Sequence, residues 1–162
     1  MNAPLYKFLT TFAVGAVFML VLSFTVYRKS YYYKKAQAEA SGRAEEPGIL
    51  SRLVTLMIFL VMVLFVTFFD LWISSGEGKS FAFLAVINLL LVALLSLFDA
   101  LFIDYFILLI WRPAFLRLPE GQPTRALMLR HIKLQFTAGW IFKLPIAVIA
   151  ALLSRLLRPG FV

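Results

Sequence analysis

The chain has 162 residues and a formal net charge of +8, with 62% hydrophobic and only 15% charged residues. Ordinary soluble domains contain roughly 45–50% apolar and about 25% charged residues, and a domain of this size has too little interior to bury the apolar excess. Together with a mean hydropathy of +0.91, the composition excludes an ordinary soluble domain and predicts a protein embedded in a lipid bilayer.

Four apolar segments predict four helices, at about residues 5–27, 53–73, 81–111 and 134–157. Each reaches the ~20 residues that cross a hydrocarbon core of about 30 Å. In lipid, backbone polar groups must bond within their own segment, which helices do. The predicted fold class is therefore all-α, a four-transmembrane-helix bundle with no soluble domain. The first helix is predicted to be retained rather than cleaved, because its basic residues follow the apolar stretch instead of preceding it.

The distribution of basic residues predicts the orientation of the helices, because cytoplasmic loops carry an excess of lysine and arginine. Loops at about 28–52 and 112–133 contain eleven basic residues: Arg28, Lys29, Lys34, Lys35, Arg43, Arg52, Arg112, Arg117, Arg125, Arg130 and Lys133. The opposite side has four: Lys7, Lys79, Arg155 and Arg158. Both termini are therefore predicted to lie outside the cytoplasm of a cell-membrane protein. Nine of these loop residues are expected either to act only as this topology signal or to contact anionic lipid headgroups: Arg28, Lys29, Lys34, Lys35, Arg112, Arg117, Arg125, Arg130 and Lys133. The positive charge therefore does not indicate nucleic-acid binding.

The third segment is predicted to have one face in the protein and one in lipid. At ~100° per residue, its small and polar residues fall within an arc of about 160°: Ala82, Ala85, Asn88, Ala93, Ser96, Asp99, Ala100 and Asp104. The remaining arc is bulky and is expected to face lipid: Ile87, Leu91, Leu94, Leu95, Phe98 and Phe102. Small residues let helices approach closely, so the first arc is the predicted packing face.

The fourth segment carries a matching stripe, because Gly139, Lys143, Ala147 and Ala151 recur every four residues. At 1.5 Å per residue, Lys143 lies about 13 Å from the cytoplasmic end, between Asp104 at about 10 Å and Asp99 at about 18 Å. Charges in hydrocarbon cost at least ~2.5–3.5 kcal/mol each and therefore pair. We predict that Lys143 contacts Asp99 or Asp104, either to join two helices or as part of an ion path.

The remaining polar residues suggest no other chemistry. Asp70 and Lys7 are expected near the outer surface, solvated or in a surface salt bridge. The absence of cysteine and the single histidine, His131, exclude thiolate and multi-histidine metal sites. No metal or cofactor is expected.

The stretch from Phe98 to Trp140 resembles a group of small bacterial four-helix membrane proteins. The resemblance covers about a quarter of the chain and lies in Phe98-Asp99, Ile103-Asp104-Tyr105, Trp111-Arg112-Pro113, Leu118-Pro119-Glu120-Gly121 and a basic helix entry with His131. It implies a bacterial inner-membrane location and the same multi-pass topology, and no activity.

Three functions are compatible with the sequence. The first is a structural or accessory subunit that binds itself or another membrane protein. The second is a small ion- or proton-coupled transporter or channel in which Asn88, Asp99, Asp104 and Lys143 line a polar path. The third is a membrane-embedded lipid-modifying enzyme with Asp99 or Asp104 as acid or base. The first is favoured, because four helices offer few polar positions for a path or a catalytic site.

Overall fold

The computed structural model describes residues 3–28, 49–74, 79–111, 129, 132–133, 136–137 and 139–157. Within these ranges the chain is almost entirely helical, which confirms the all-α prediction. The helices are α1 (Ala3–Arg28), α2 (Ile49–Ile73), α3 (Phe81–Phe98), which continues as a π-helix (Asp99–Trp111), and α4 (Trp140–Leu156).

Three of these helices are long and apolar enough to cross a membrane, through the windows Pro4–Leu22, Thr55–Ile73 and Phe81–Ile107. The described part of α4 has 17 helical residues, or about 26 Å at 1.5 Å per residue. It is therefore slightly shorter than the hydrocarbon core of about 30 Å. Length and composition therefore identify three helices that could cross a membrane, and they do not identify α4 as a fourth.

Helices α1 and α2 run antiparallel. The ammonium of Lys7 donates a 2.8 Å hydrogen bond to the carbonyl of Trp72. One residue further along α1, the ring of Phe8 meets that of Phe69 edge to face, with centroids 6.0 Å apart. The beginning of α1 therefore lies beside the end of α2, as expected when successive helices cross a layer in opposite directions.

Helix α4 packs against both α2 and α3. Its buried face is made mostly of small residues, with Ala147, Ala150 and Ala151 at most 1% exposed. Side chains this small let helix backbones approach closely. Lys143 is buried on the same face, which confirms that the stripe predicted for the fourth segment packs inward.

The packing face predicted for the third segment is confirmed in part, because Asn88, Asp99 and Ala100 are buried as expected. The buried residues of α3 itself are Leu84, Asn88, Leu91, Val92 and Leu95. Leu91 and Leu95, predicted to face lipid, belong to the hydrophobic core, whereas Ala82, predicted to pack, is exposed. For these three residues the prediction was wrong, because it assigned every bulky side chain to the lipid face. Leu95 in fact lies against Gly15 of α1.

The π-helical geometry after Phe98 also changes the positions predicted for the second half of this segment. A π-helix bonds residue i to i+5 and so has more residues per turn than an α-helix. Angles calculated at 100° per residue therefore do not apply beyond Asp99. Along this segment Phe98, Phe102 and Phe106 stack in sequence, with ring centroids 5.1 and 5.7 Å apart.

At Gly15, α1 lies close to α2 and α3. A Cβ added there would lie 2.9 Å from Cδ2 of Leu95 and 3.2 Å from Cζ of Phe65. Leu95 is itself buried, so its side chain has little space into which to move. Glycine at this position therefore lets α1 dock against α2 and α3.

We predict that Gly15→Leu lowers the free energy of unfolding by about 1–3 kcal/mol, the usual cost of overpacking. Leucine forms helices better than glycine, so a loss reports tertiary packing rather than helix propensity. The measurement is unfolding in mixed micelles with a rising fraction of denaturing detergent. Ala13→Leu is the matched control, because Ala13 is exposed on the same helix. Equal stability of the two variants would show that α1 does not dock through Gly15.

Candidate functional site

Among the residues that the structure describes, the most deeply buried charged residue is Asp70, on α2. Asp70 has no solvent-exposed surface, and Thr67 and Ser74, three residues before and four after it, are buried as well. This spacing places the three side chains on one face of α2. The expectation that Asp70 is solvated near the outer surface was wrong, because that face of α2 is turned into the bundle.

Three helices meet at the carboxylate of Asp70. The side-chain amide of Asn88, on α3, donates a 2.8 Å hydrogen bond to Oδ2 of Asp70. The hydroxyl of Ser154, on α4, lies 3.2 Å from the same oxygen. Asn88 and Ser154 are fully buried too. We call these three side chains the Asp70 cluster.

Asn88 makes a second contact between helices, because its Nδ2 also lies 3.3 Å from the backbone carbonyl of Ala147 on α4. A primary amide has two hydrogens to donate, and both are used here. A side chain of α3 reaches a backbone carbonyl of α4 only where the intervening side chain is small. The alanine stripe of α4 and the Asp70 cluster therefore depend on each other.

The contacts of Ser154 allow two arrangements of protons. Its oxygen lies 3.2 Å from Oδ2 of Asp70 and 3.0 Å from the carbonyl of Ala151, but a hydroxyl has one hydrogen. If Asp70 is ionised, Ser154 donates to it. If Asp70 is protonated, it donates to Ser154, which then donates to Ala151. The cluster can therefore gain or lose a proton without moving heavy atoms.

Two further oxygens point into this buried region. Neither Oδ1 of Asn88 nor Oγ of Ser74 has a hydrogen-bond partner within the described part of the chain. Buried polar atoms of this kind commonly bind water or an ion. The same ranges contain no group of three His, Cys, Asp or Glu residues that could hold a metal ion.

Lys143 and Asp99, two of the predicted intramembrane residues, are both buried, at 6% and 8% exposure. The ammonium of Lys143 lies 5.0 Å from the centroid of the Trp140 ring, within the range of a cation–π interaction. Its side chain thus extends back along α4. The side chain of Asp104 lies outside the described residues. That Lys143 contacts Asp99 or Asp104 therefore stays a prediction.

The residues predicted to contact lipid headgroups fall mostly outside the described ranges. Of the nine residues named in that prediction, Lys133 has a described side chain, and it is exposed. The backbone of Arg28 ends α1. The predictions for the other residues, and for His131, concern parts of the chain that the structure does not describe.

Sequence reasoning found Asn88 but missed the two residues with which it forms the cluster. Both had a signal. Thr67, Asp70 and Ser74 follow helical spacing on a helix that is otherwise apolar, and Ser154 extends the inward stripe of Lys143, Ala147 and Ala151 by three residues. A polar stripe on an apolar helix predicts a packed face, wherever along the helix it lies.

Comparisons with family models, with curated proteins and with solved structures gave no match for this chain.

We predict that Asp70→Ala lowers the free energy of unfolding by about 1–3 kcal/mol, because it leaves one buried hydrogen of the Asn88 amide without its acceptor and removes the contact of Ser154 with α2. Combined with Ser154→Ala, the loss should fall short of the sum of the single losses by about 0.5–2 kcal/mol. Unfolding in mixed detergent micelles measures all three variants.

Thr67→Val is the matched control for this cycle. Its hydroxyl is buried but donates only to the Val63 carbonyl of its own helix, at 2.8 Å, so its loss should cost less than about 0.5 kcal/mol. Strictly additive effects of Asp70→Ala and Ser154→Ala would show that the cluster does not join α2 to α4.

Proposed function

We propose that the chain is a multi-pass protein of the cell (inner) membrane with four spans, and that it acts as a structural or accessory subunit. In this proposal both termini lie outside the cytoplasm. Its partner is another membrane protein or a second copy of itself, bound through the apolar surface of the bundle.

The packing of α4 supports a fourth span. Its buried face extends from Lys143 to Ser154, between two helices that are each long enough to cross a membrane. Its opposite face is apolar and exposed, at Ile141, Leu144, Val148 and Leu152. Such a surface is stable in lipid and costs free energy in water. Local thinning of the bilayer or flanking residues that reach the interface accommodate a helix slightly shorter than the core.

The single observation that carries the structural function is the Asp70 cluster. A carboxylate and an amide in an apolar interior cost free energy unless their hydrogen bonds are made. Here those bonds all run between helices: Asp70 to Asn88 and Ser154, and Asn88 to Ala147. The most buried polar groups thus hold the bundle together, which is what a scaffold or subunit requires.

A second candidate function is a small ion- or proton-coupled transporter. It is favoured by Asp70, Asp99 and Lys143, which are all more than nine-tenths buried, and by the free Oδ1 of Asn88. Intramembrane charges often mark ion or proton pathways. The two proton arrangements of the Asp70 cluster would suit transfer of a proton.

We expect single cysteines to confirm four spans, because the natural chain has no cysteine and each introduced thiol is the only one. In intact cells a membrane-impermeant maleimide should label Asn2→Cys, Gly78→Cys and Val162→Cys. It should label Ser41→Cys only after the membrane is permeabilised.

Labelling at the C-terminus decides the number of spans. If α4 does not cross, Val162→Cys reacts only after permeabilisation while Asn2→Cys still reacts in intact cells. If Ser41→Cys reacts in intact cells and the other three variants react only after permeabilisation, the chain still has four spans but its orientation is opposite to the proposed one. A chain released from membranes by alkaline carbonate would contradict membrane integration itself.

A double-mutant cycle on Lys143 and Asp99 separates the two functions. If these residues join helices, Lys143→Met or Asp99→Asn alone lowers the free energy of unfolding by about 3–5 kcal/mol, because a buried charge loses its partner. The double variant should recover most of that loss. Unfolding in mixed micelles measures it, with Thr67→Val again as the control.

The opposite result would favour the transporter. If Asp99→Asn leaves stability unchanged or raises it, the charge is kept despite its cost, and ion flux into proteoliposomes should then disappear in the same folded variant. Full flux in Asp99→Asn would remove Asp99 from the transport path.

A further inference from the structure

A groove opens between α2 and α4 at the end opposite the Asp70 cluster. Its volume is about 550 Å³, within the 300–1,000 Å³ typical of sites for small molecules. Its walls are mainly apolar and come from both helices: Arg52, Thr55, Leu56 and Phe59 on α2, and Ile141, Phe142 and Pro145 on α4.

Arg52 gives the groove one charged end. It is exposed and lies in the first turn of α2, where backbone N–H groups are unsatisfied and favour anions. The apolar window of α2 begins three residues later, at Thr55. Arg52 is therefore placed where a membrane interface would begin, and the apolar walls lie on the hydrocarbon side of it.

The dimensions of the groove match the two parts of a lipid. Arg52 and Phe59 are seven residues apart on one face of α2, or about 10 Å along its axis. On α4, Ile141 and Phe142 present exposed apolar side chains to the same space, at 71% and 54% exposure. The arrangement is a guanidinium above an open apolar slot. A guanidinium binds phosphate through paired hydrogen bonds.

We infer that this groove binds one anionic phospholipid of the cytoplasmic leaflet. Its phosphate contacts Arg52, and the first part of an acyl chain lies against Leu56, Phe59 and Phe142. The inference rests on the proposed membrane location and names a specific lipid contact within it. A bound lipid here would fill the space between α2 and α4 where the Asp70 cluster does not join them.

The test is native mass spectrometry of the full chain in a non-ionic detergent, titrated with phosphatidylglycerol or with phosphatidylcholine of the same acyl chains. We expect one phosphatidylglycerol to bind more tightly than phosphatidylcholine. Arg52→Gln should weaken phosphatidylglycerol binding about fivefold. It should weaken phosphatidylcholine binding less, because the choline ammonium offsets the charge of the phosphate. Leu56→Trp, which fills the slot, should weaken binding of both lipids.

Two matched controls make the result specific. Lys133→Gln removes another exposed positive charge, and Leu60→Trp enlarges an exposed leucine one turn further along α2, outside the groove. Both should change binding less than twofold. Thermal unfolding of each variant in the same detergent confirms that it is folded.

Three outcomes would overturn the inference. Equal weakening by Arg52→Gln and Lys133→Gln would show attraction by overall charge. Unchanged binding in Leu56→Trp would show that lipid does not enter the groove. A dimer that Leu56→Trp dissociates, with lipid binding unaffected, would assign the groove to a second copy of the chain. None of these outcomes affects the cysteine labelling, so a failed lipid site and a failed membrane topology are distinguishable.

Discussion

The interaction on which the rest of the structure depends is the burial of the Asp70 carboxylate between α2, α3 and α4. A carboxylate with no exposed surface is stable only where donors surround it. Asn88 and Ser154 come from two other helices, so all three must keep one rotation and one axial position. The hydrogen bond from Asn88 to the Ala147 carbonyl also requires α3 and α4 to lie close together. Hydrophobic contacts alone tolerate sliding between helices, whereas this set of directional bonds does not.

Helix α4 packs tightly against α2 at one end and leaves a groove beside α2 at the other. Near Ser154 small side chains and the Asp70 cluster hold the helices together. Toward Ile141 the side chains are large and a groove remains between the helices, with Arg52 at its mouth. The change follows from side-chain size along α4, where Ala147, Ala150 and Ala151 give way to Ile141 and Phe142. A bundle tight at one end and open at the other can keep a fixed core while exchanging what lies in its open end, which suits a subunit that binds lipid.

The same buried polar groups support both proposed functions, but their geometry favours the structural function over the transporter. A stable assembly needs hydrogen bonds between helices, and the Asp70 cluster provides them between α2, α3 and α4. A transporter also needs polar groups that change partners. The two proton arrangements around Ser154 and the remaining oxygen of Asn88 provide a limited version of that. Lys143 extends along α4 toward Trp140, away from the Asp70 cluster, which meets α4 at Ser154.

The sequence by itself determined the helical fold class, the approximate helix ends and the inward stripe of α4. These follow from hydropathy and the period of the α-helix, which are properties of each segment alone. It did not determine the partners of Asp70, because an acidic residue near the end of an apolar segment has the same local sequence whether it faces water or a neighbouring helix. Nor did it determine that Leu91 and Leu95 are buried, because that depends on which residues of the other helices lie opposite them. The π-helix from Asp99 likewise moved side chains away from the angles expected of an α-helix. Only the tertiary structure decided these points, since each depends on what lies across the interface between helices.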